Sequence, residues 1–271
     1  MTFNSRENSI ADGAPVRLYE FSRGLLVWRY TTADRDVTQS NRSYSAVAIS
    51  DNGIRQTGQT RADALEITAP HSLPVAQLYR GVSPSADISL TVRDMHYGDD
   101  EAVVSWVGTI SGVAWPAADR CKIHCQSLAA SFGQPGLRMT WDRSCPHSLY
   151  DRNCRVNAAD YAVAGVIDAM DGAQVTASAF AALDDGYFNE GYVEWTIGSE
   201  EVERRGIEQH TGGVLVLLGG TSGLTVGDAI TAYPGCPRTI QACNDKFANT
   251  ANYGGAPHQP GRSPFDGNPV F

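Results

Sequence analysis

Arg120-Cys121-Lys122-Ile123-His124-Cys125 alternates strictly: Cys121, Ile123 and Cys125 fall on one side, Arg120, Lys122 and His124 on the other. A period of two marks a strand with one buried face, because successive side chains of an extended chain point to opposite sides. The same alternation decides how Cys121 and Cys125 are read. Their C-x3-C spacing looks like a metal signal. On a strand it sets both beside Ile123 on an apolar face, where a free Cys packs as a small hydrophobe.

The texture continues outward from this segment. Ile88, Leu90 and Val92 alternate with Ser89 and Thr91, and Val103–Trp115 reads as one long strand or as two broken at Gly112. Val16–Phe21 and Leu25–Tyr30 flank Gly24 as a hairpin would. Ser45–Ile49 and Ala64–Thr68 are further short strands. After Trp141 the strands shorten and the loops lengthen: Tyr161–Ile167, Gln174–Ala177, Tyr187–Thr196 with an interruption at Gly191, Val202–His210 and Val214–Leu218 around Thr211-Gly212-Gly213, then Ala229–Tyr233. Thr239 is placed to cap a short helix, Ile240–Phe247, with Cys243 and Phe247 on one face. No amphipathic pattern of convincing helical length and no internal repeat is visible. With 27 Gly, 13 Pro and only 19% charged residues, the composition is that of a turn-rich, strand-rich chain. The expectation is a mainly β protein: a β-barrel or β-sandwich domain over 1–140, then a Cys-rich, loop-rich domain over 141–271. Its last stretch, 248–271, has the composition of irregular structure and must lie on the rest of the domain, pack on a partner or remain mobile.

Several function classes are disfavoured. A formal charge of −9 argues against nucleic-acid recognition, which needs clustered Lys and Arg. The longest apolar runs, Ala179–Leu183 and Val214–Leu218, are far too short to span a bilayer. Met1–Ala11 has no apolar stretch of the kind a signal peptide carries. Gly219–Gly223 lacks the Lys-Ser/Thr ending of a phosphate loop, and neither H-E-x-x-H nor G-x-S-x-G occurs. The six histidines (71, 96, 124, 147, 210 and 258) are scattered, and only His147 lies beside a candidate ligand. No nucleophile is paired with a base.

The remaining chemistry lies in two cysteine pairs. Cys145 and Cys154 are separated by eight residues, Cys236 and Cys243 by six, and each pair has a Pro after its first Cys. Two loops offering two thiolates each can close one four-sulfur cage, which suits zinc or an iron–sulfur cluster. Zinc sites favour shorter gaps, so the spacing tilts toward a cluster. Two structural disulfides, or buried free thiols, are the other readings. A chain folding in a reducing cytosol keeps its thiols reduced, which weighs against disulfides.

Longer motifs add a family. Cys145-Pro-His-Ser-Leu-Tyr-Asp-Arg-Asn-Cys154-Arg-Val, Pro234-Gly-Cys-Pro-Arg-Thr-Ile-Gln-Ala-Cys243-Asn-Asp-Lys-Phe-Ala-Asn and Asn252-Tyr-Gly-Gly-Ala-Pro-His-Gln-Pro-Gly261 resemble the C-terminal domain of tailed-phage tail-tip (baseplate) hub proteins. This is the group of the lambda tail-tip protein L and the gene transfer agent hub. Leu18-Tyr-Glu-Phe, Trp28-Arg-Tyr-Thr-Thr-Ala-Asp-Arg-Asp-Val, Ile54-Arg-Gln-Thr and Val75-Ala-Gln-Leu-Tyr-Arg-Gly resemble the uncharacterised phage domain that precedes it. The resemblance implies a structural virion component and not an enzyme. It implies a homotrimer at the distal tip of a long non-contractile tail, assembled in the host cytoplasm. Its neighbours would be the distal tail protein ring, the central tip or receptor-binding protein and the tape measure protein. It further implies an iron–sulfur cluster, [4Fe-4S], on Cys145, Cys154, Cys236 and Cys243, with Cys121 and Cys125 outside the ligand set. Zinc is the alternative metal, and a zinc-dependent tail-associated cell-wall hydrolase the alternative function.

Overall fold

The computed structural model describes residues 3–9, 11, 13–55, 57, 63–132, 136, 141–198 and 201–259. The chain divides into two compact units, Met1–Gln134 with Thr196–Glu203, and Pro135–Trp195 with Arg204–Phe271.

The first unit runs α1 (Phe3–Glu7), β1 (Pro15–Arg23), β2 (Leu26–Thr31), β3 (Val37–Gln39), β4 (Arg42–Ala46), β5 (Ser50–Asp51), β6 (Leu65–Pro70), α2 (Pro74–Gln77), β7 (Ser89–His96), β8 (Ala102–Ala117), β9 (Arg120–Ser127) and α3 (Ala129–Phe132). Its strands form one sheet in the order β3-β4-β2-β1-β7-β8-β9-β6-β5. The pairing is antiparallel except between β2 and β4. The β1–β2 hairpin turns at Gly24, whose φ of +53° suits a residue without Cβ. Cys121, Ile123 and Cys125 are buried on one face of β9, paired with Ala69, Ile67 and Leu65 of β6, as the alternation predicts. β8 is one strand, not two. Its register against β9 slips between Ile110 and Gly112, a bulge that bends the strand without ending it. Tyr19, Phe21, Ile67, Leu90, Val92 and Ile123 form the main core, each adding about 1.5–3 kcal/mol by burial. Leu18, Val37, Tyr44 and Met95 form a second cluster; the one-residue step from Leu18 to Tyr19 puts neighbours on opposite faces.

Thr196–Glu203 completes this unit through charge. Arg23 and Glu203 pair at 2.7 Å with side chains 2% and 5% exposed. Glu203 also accepts the Ser85 N–H at 2.8 Å, and Glu201 accepts that of Leu25 at 2.8 Å.

The second unit holds β10 (Val163–Val166), β11 (Ala169–Asp171), β12 (Gln174–Thr176), β13 (Tyr192–Ile197), β14 (Glu201–Thr211), β15 (Val214–Leu217), β16 (Ala229–Tyr233) and a helix, α4 (Ile240–Asp245). β13 and β14 begin or end in the first unit's excursion. The sheet order is β10-β16-β13-β14-β15-β12-β11. The hairpin at Thr211–Gly213 forms as expected, with Thr211 opposite Val214. The expected strand over Tyr187–Thr196 does not: the chain turns until Gly191, and the strand starts at Tyr192. A Cβ on Gly191 would stand 2.0 Å from the Tyr233 carbonyl oxygen, so this glycine marks a close backbone approach at the strand's start. The fold class is mainly β, as expected. Among the described residues no helix is long and apolar enough to cross a membrane.

Candidate metal centre

The topology of the second sheet brings the two cysteine loops side by side. β10, which follows the first loop, pairs antiparallel with β16, which precedes the second, with Val163 opposite Ala232. The loops then bond directly: the Cys145 N–H donates to the Arg238 carbonyl at 2.9 Å. The Tyr150 hydroxyl donates to the Pro234 carbonyl at 3.0 Å.

Each loop is shaped from within. In the first, the Asp151 carboxylate accepts the N–H groups of Cys154 (2.6 Å), Asn153 (2.8 Å) and Ser148 (3.0 Å). These bonds, that from Cys154 foremost, hold the carboxyl below its ordinary pKa. Tyr150 and Arg155 take left-handed φ values of 68° and 62°, so the chain reverses on either side of the Asp151 turn. Tyr150 meets Tyr192 and Tyr233 edge-on, with centroids 6.4 and 6.2 Å away. In the second loop, the Thr239 hydroxyl accepts from the Ala242 N–H at 3.2 Å and caps α4. The helix ends at Asp245, two residues short of the expected Phe247. Cys243 and Phe247 are both buried, as expected of one face.

A third segment was absent from the sequence-based site. Residues 253–259 fold back onto the first cysteine loop. The Gly254 N–H donates to the Cys145 sulfur at 3.4 Å, and the Ala256 N–H to the Asp142 carbonyl at 2.8 Å. The Tyr253 hydroxyl reaches the Arg143 carbonyl at 2.6 Å, and Arg143 Nε donates to the Gln259 carbonyl at 2.7 Å. Of the three fates open to the tail, this part lies on its own domain; residues from 260 onward are outside the described set. Asn249 adds a further tie, donating to the Cys154 carbonyl at 2.6 Å with the Cys154 sulfur 3.8 Å from the same nitrogen. The Gly-Gly pair and the Asn were the available signals, and neither had an evident partner in the sequence.

Cys145, Cys154, Cys236 and Cys243 line one cavity of about 200 Å³, with His147 and Tyr253 also on its wall. All six cysteines of the chain are free thiols, and Cys121 and Cys125 lie in the first unit's core. Burial pushes the Cys236 and Cys243 thiols up, and the neighbouring sulfurs push further, Cys154 and Cys145 on Cys236 and all three others on Cys243. Burial, then Cys145, Cys243 and Cys236, does the same to the Tyr253 phenol. Four thiols that feel one another around a cavity form a soft donor set, and a metal centre there would displace their protons. Among the described residues, no three His, Cys, Asp or Glu side chains converge as tightly as a single ion requires. The four cysteines are the residues that could hold a metal centre there, and both zinc and an iron–sulfur cluster take a four-thiolate donor set.

Comparison with known proteins finds two family models along the chain, the first of which extends past the first unit into the first cysteine loop. Residues 18–157 match the family model described as baseplate hub protein, N-terminal attachment domain. Residues 186–263 match that of the phage conserved hypothetical protein BR0599. An uncharacterized protein of Xylella fastidiosa (strain 9a5c) is 30% identical over 183 residues, covering 61% of this chain and 37% of the relative. The chain thus spans little more than a third of that relative's length. A chain in the solved virion of a native gene transfer agent (GTA) particle shares the fold, with a TM-score of 0.80, 20% identity and 99% coverage of both chains.

Proposed function

We infer the function from one premise: the chain belongs to the baseplate hub protein family, whose attachment domain spans more than half of it. Its role is structural, as a hub in the tail of a phage particle. We take it to sit at the distal tip of a long non-contractile tail as a homotrimer. There it would join the tail tube and distal tail ring to the central tip protein, beside the tape measure protein. The observation that carries a cluster-stapled hub is the four-sulfur cavity at the meeting of the two loops. Cys145, Cys154, Cys236 and Cys243 would hold a [4Fe-4S] cluster, a rigid cross-link that forms in the reducing cytosol where disulfides do not persist. All four ligands come from the protein, which leaves a closed site with no open position for a substrate. The family role and this closed site support reading the chain as a non-enzyme.

Protein purified without air tests this. It should carry about four iron and four sulfide per chain, form trimers, and leave peptidoglycan intact. Labelled chain should appear at the tail tip of assembled particles. Stoichiometric zinc with hydrolytic activity would overturn the reading in favour of a zinc-dependent cell-wall hydrolase, and label elsewhere on the virion would overturn the location.

A further inference from the structure

Lys occurs at only two positions in this chain, 122 and 246; every other basic side chain counted in the formal charge is Arg. Lys122 has an ordinary partner, Glu66, at 2.7 Å. Lys246 does not. It caps the C-terminal end of α4, three residues beyond Cys243, and its half-buried ammonium donates to two backbone carbonyls, Tyr187 at 2.5 Å and Gly235 at 3.1 Å. The same nitrogen lies 4.7 Å from the centre of the Tyr187 ring and 5.7 Å from that of Phe247. Among the described residues no carboxylate forms an ion pair with it; burial acts against its charge, and the acidic groups near enough to favour that charge are Cys236 and Glu190.

A half-buried ammonium is costly without a counter-charge, and carbonyl dipoles offset only part of the cost. Across the Gly235–Cys236 peptide lies the group that can supply the rest. Four thiolates leave a cluster with net negative charge, and a fixed cation beside it favours the more reduced, more negative state. Arg238, the basic side chain on the cavity wall itself, is exposed to water, where its charge is screened. Lys is suited to the task as a compact point charge that reaches between two carbonyls and two ring faces. The geometry points to Lys246 as the built-in counter-charge of the metal centre, a positioning residue that pins the Cys236 loop and raises the reduction potential of the cluster the loop holds. This inference rests on the cluster reading above.

The test compares the full-length wild type with K246M, which keeps the stem and removes the charge, and K246R, which keeps the charge. Each is purified without air, assayed for iron and sulfide, and titrated potentiometrically by its visible absorbance. The expected result is wild-type iron content in K246M with a clearly lower midpoint potential, and a potential in K246R closer to wild type. An unmoved potential in K246M overturns the inference. If K246M cannot be loaded, K246R decides: iron retained there supports the charge, and iron lost in both variants shows a packing role and overturns it. A wild type that never holds iron instead fails the cluster reading itself, a separate outcome.

Discussion

Gly255→Ala should loosen the metal centre from outside it. A Cβ at Gly255 would stand 2.5 Å from the Arg143 carbonyl oxygen and 2.8 Å from the carbonyl carbon and oxygen of Ser144. All three obstacles are backbone atoms of the first cysteine loop, so no side chain can swing aside. Such overpacking costs about 1–3 kcal/mol. The segment it disturbs is held by few bonds: Tyr253 to Arg143, Gly254 to the Cys145 sulfur, Ala256 to Asp142, and Arg143 to Gln259. At about 0.5–1.5 kcal/mol net for each bond, the segment's hold is roughly 2–6 kcal/mol. The methyl group therefore removes a large share of what keeps residues 253–259 docked. Lifting them strips the Gly254 N–H from the Cys145 sulfur and opens the cavity wall at Tyr253. The assay is iron loss to a chelator, with alkylation of Cys145 read by mass spectrometry. G255A should lose iron at least several-fold faster than wild type and alkylate first at Cys145. Gly112→Ala is the control, since a Cβ there meets nothing within 4 Å. Iron retention and Cys145 protection equal to wild type in G255A would refute the assignment of this segment to the site.

Three further outcomes follow from the same contacts. Ser at Cys145, Cys154, Cys236 or Cys243 should abolish iron binding while Ser at Cys121 or Cys125 leaves it intact; iron retained at wild-type level by the Cys236 variant would show that the ligand set is wrong. Glu203→Ala leaves Arg23 buried without its counter-ion and should cost about 3–5 kcal/mol in urea unfolding, against at most about 1 kcal/mol for Glu194→Ala, whose partner Arg204 is 60% exposed; equal shifts for the two would contradict the buried-pair argument. Asp151 is held below its ordinary pKa by the loop N–H groups, so its contribution is complete above about pH 4 and fades as pH falls through the lowered value. Asp151→Asn should accordingly weaken iron retention at neutral pH, and the gap from wild type should close in acid; a gap that widens on acidification has the wrong sign.

Much of the fold was legible because period-two patterns carry their own evidence of burial. Cys121-Ile123-Cys125 is the clearest instance: three residues placed in the core by alternation alone, and two thiols thereby separated from the ligand set. Thr239 was legible as a cap because its role is local. What failed was non-local. Tyr187–Gly191 looks like a strand by composition, yet the chain there must turn to bring Gly191 against the Tyr233 backbone. Val202 and Glu203 read as the start of the strand Val202–His210, and the place of Glu203 in the first unit depends on Arg23 and Ser85, more than a hundred residues earlier. Residues 253–259 read as irregular, which they are; their place on the Cys145 loop is set by space that only glycine leaves open. The four cysteines were findable as pairs, but that the pairs share a cavity depends on β10 lying beside β16.

That pairing also sets what a cross-link at this site would do. Every strand of the second sheet lies between Cys154 and Cys236, from Val163 to Tyr233. The first and last of them are neighbours, and β10 is an edge strand of only four residues. Short edge strands contribute little cohesion of their own. A cross-link between Cys154 and Cys236 closes a loop of about eighty residues, which by the loop-closure relation is worth roughly 4–5 kcal/mol. Applied where the first and last strands in chain order pair at one edge of the sheet, that constraint would enclose all seven strands in one loop. In the hub role proposed above, closure at that point would keep the first and last strands together under load. The cysteines lie just outside the first and last strands, beside the four-residue edge strand β10, where a cross-link would add most to a short strand's own pairing.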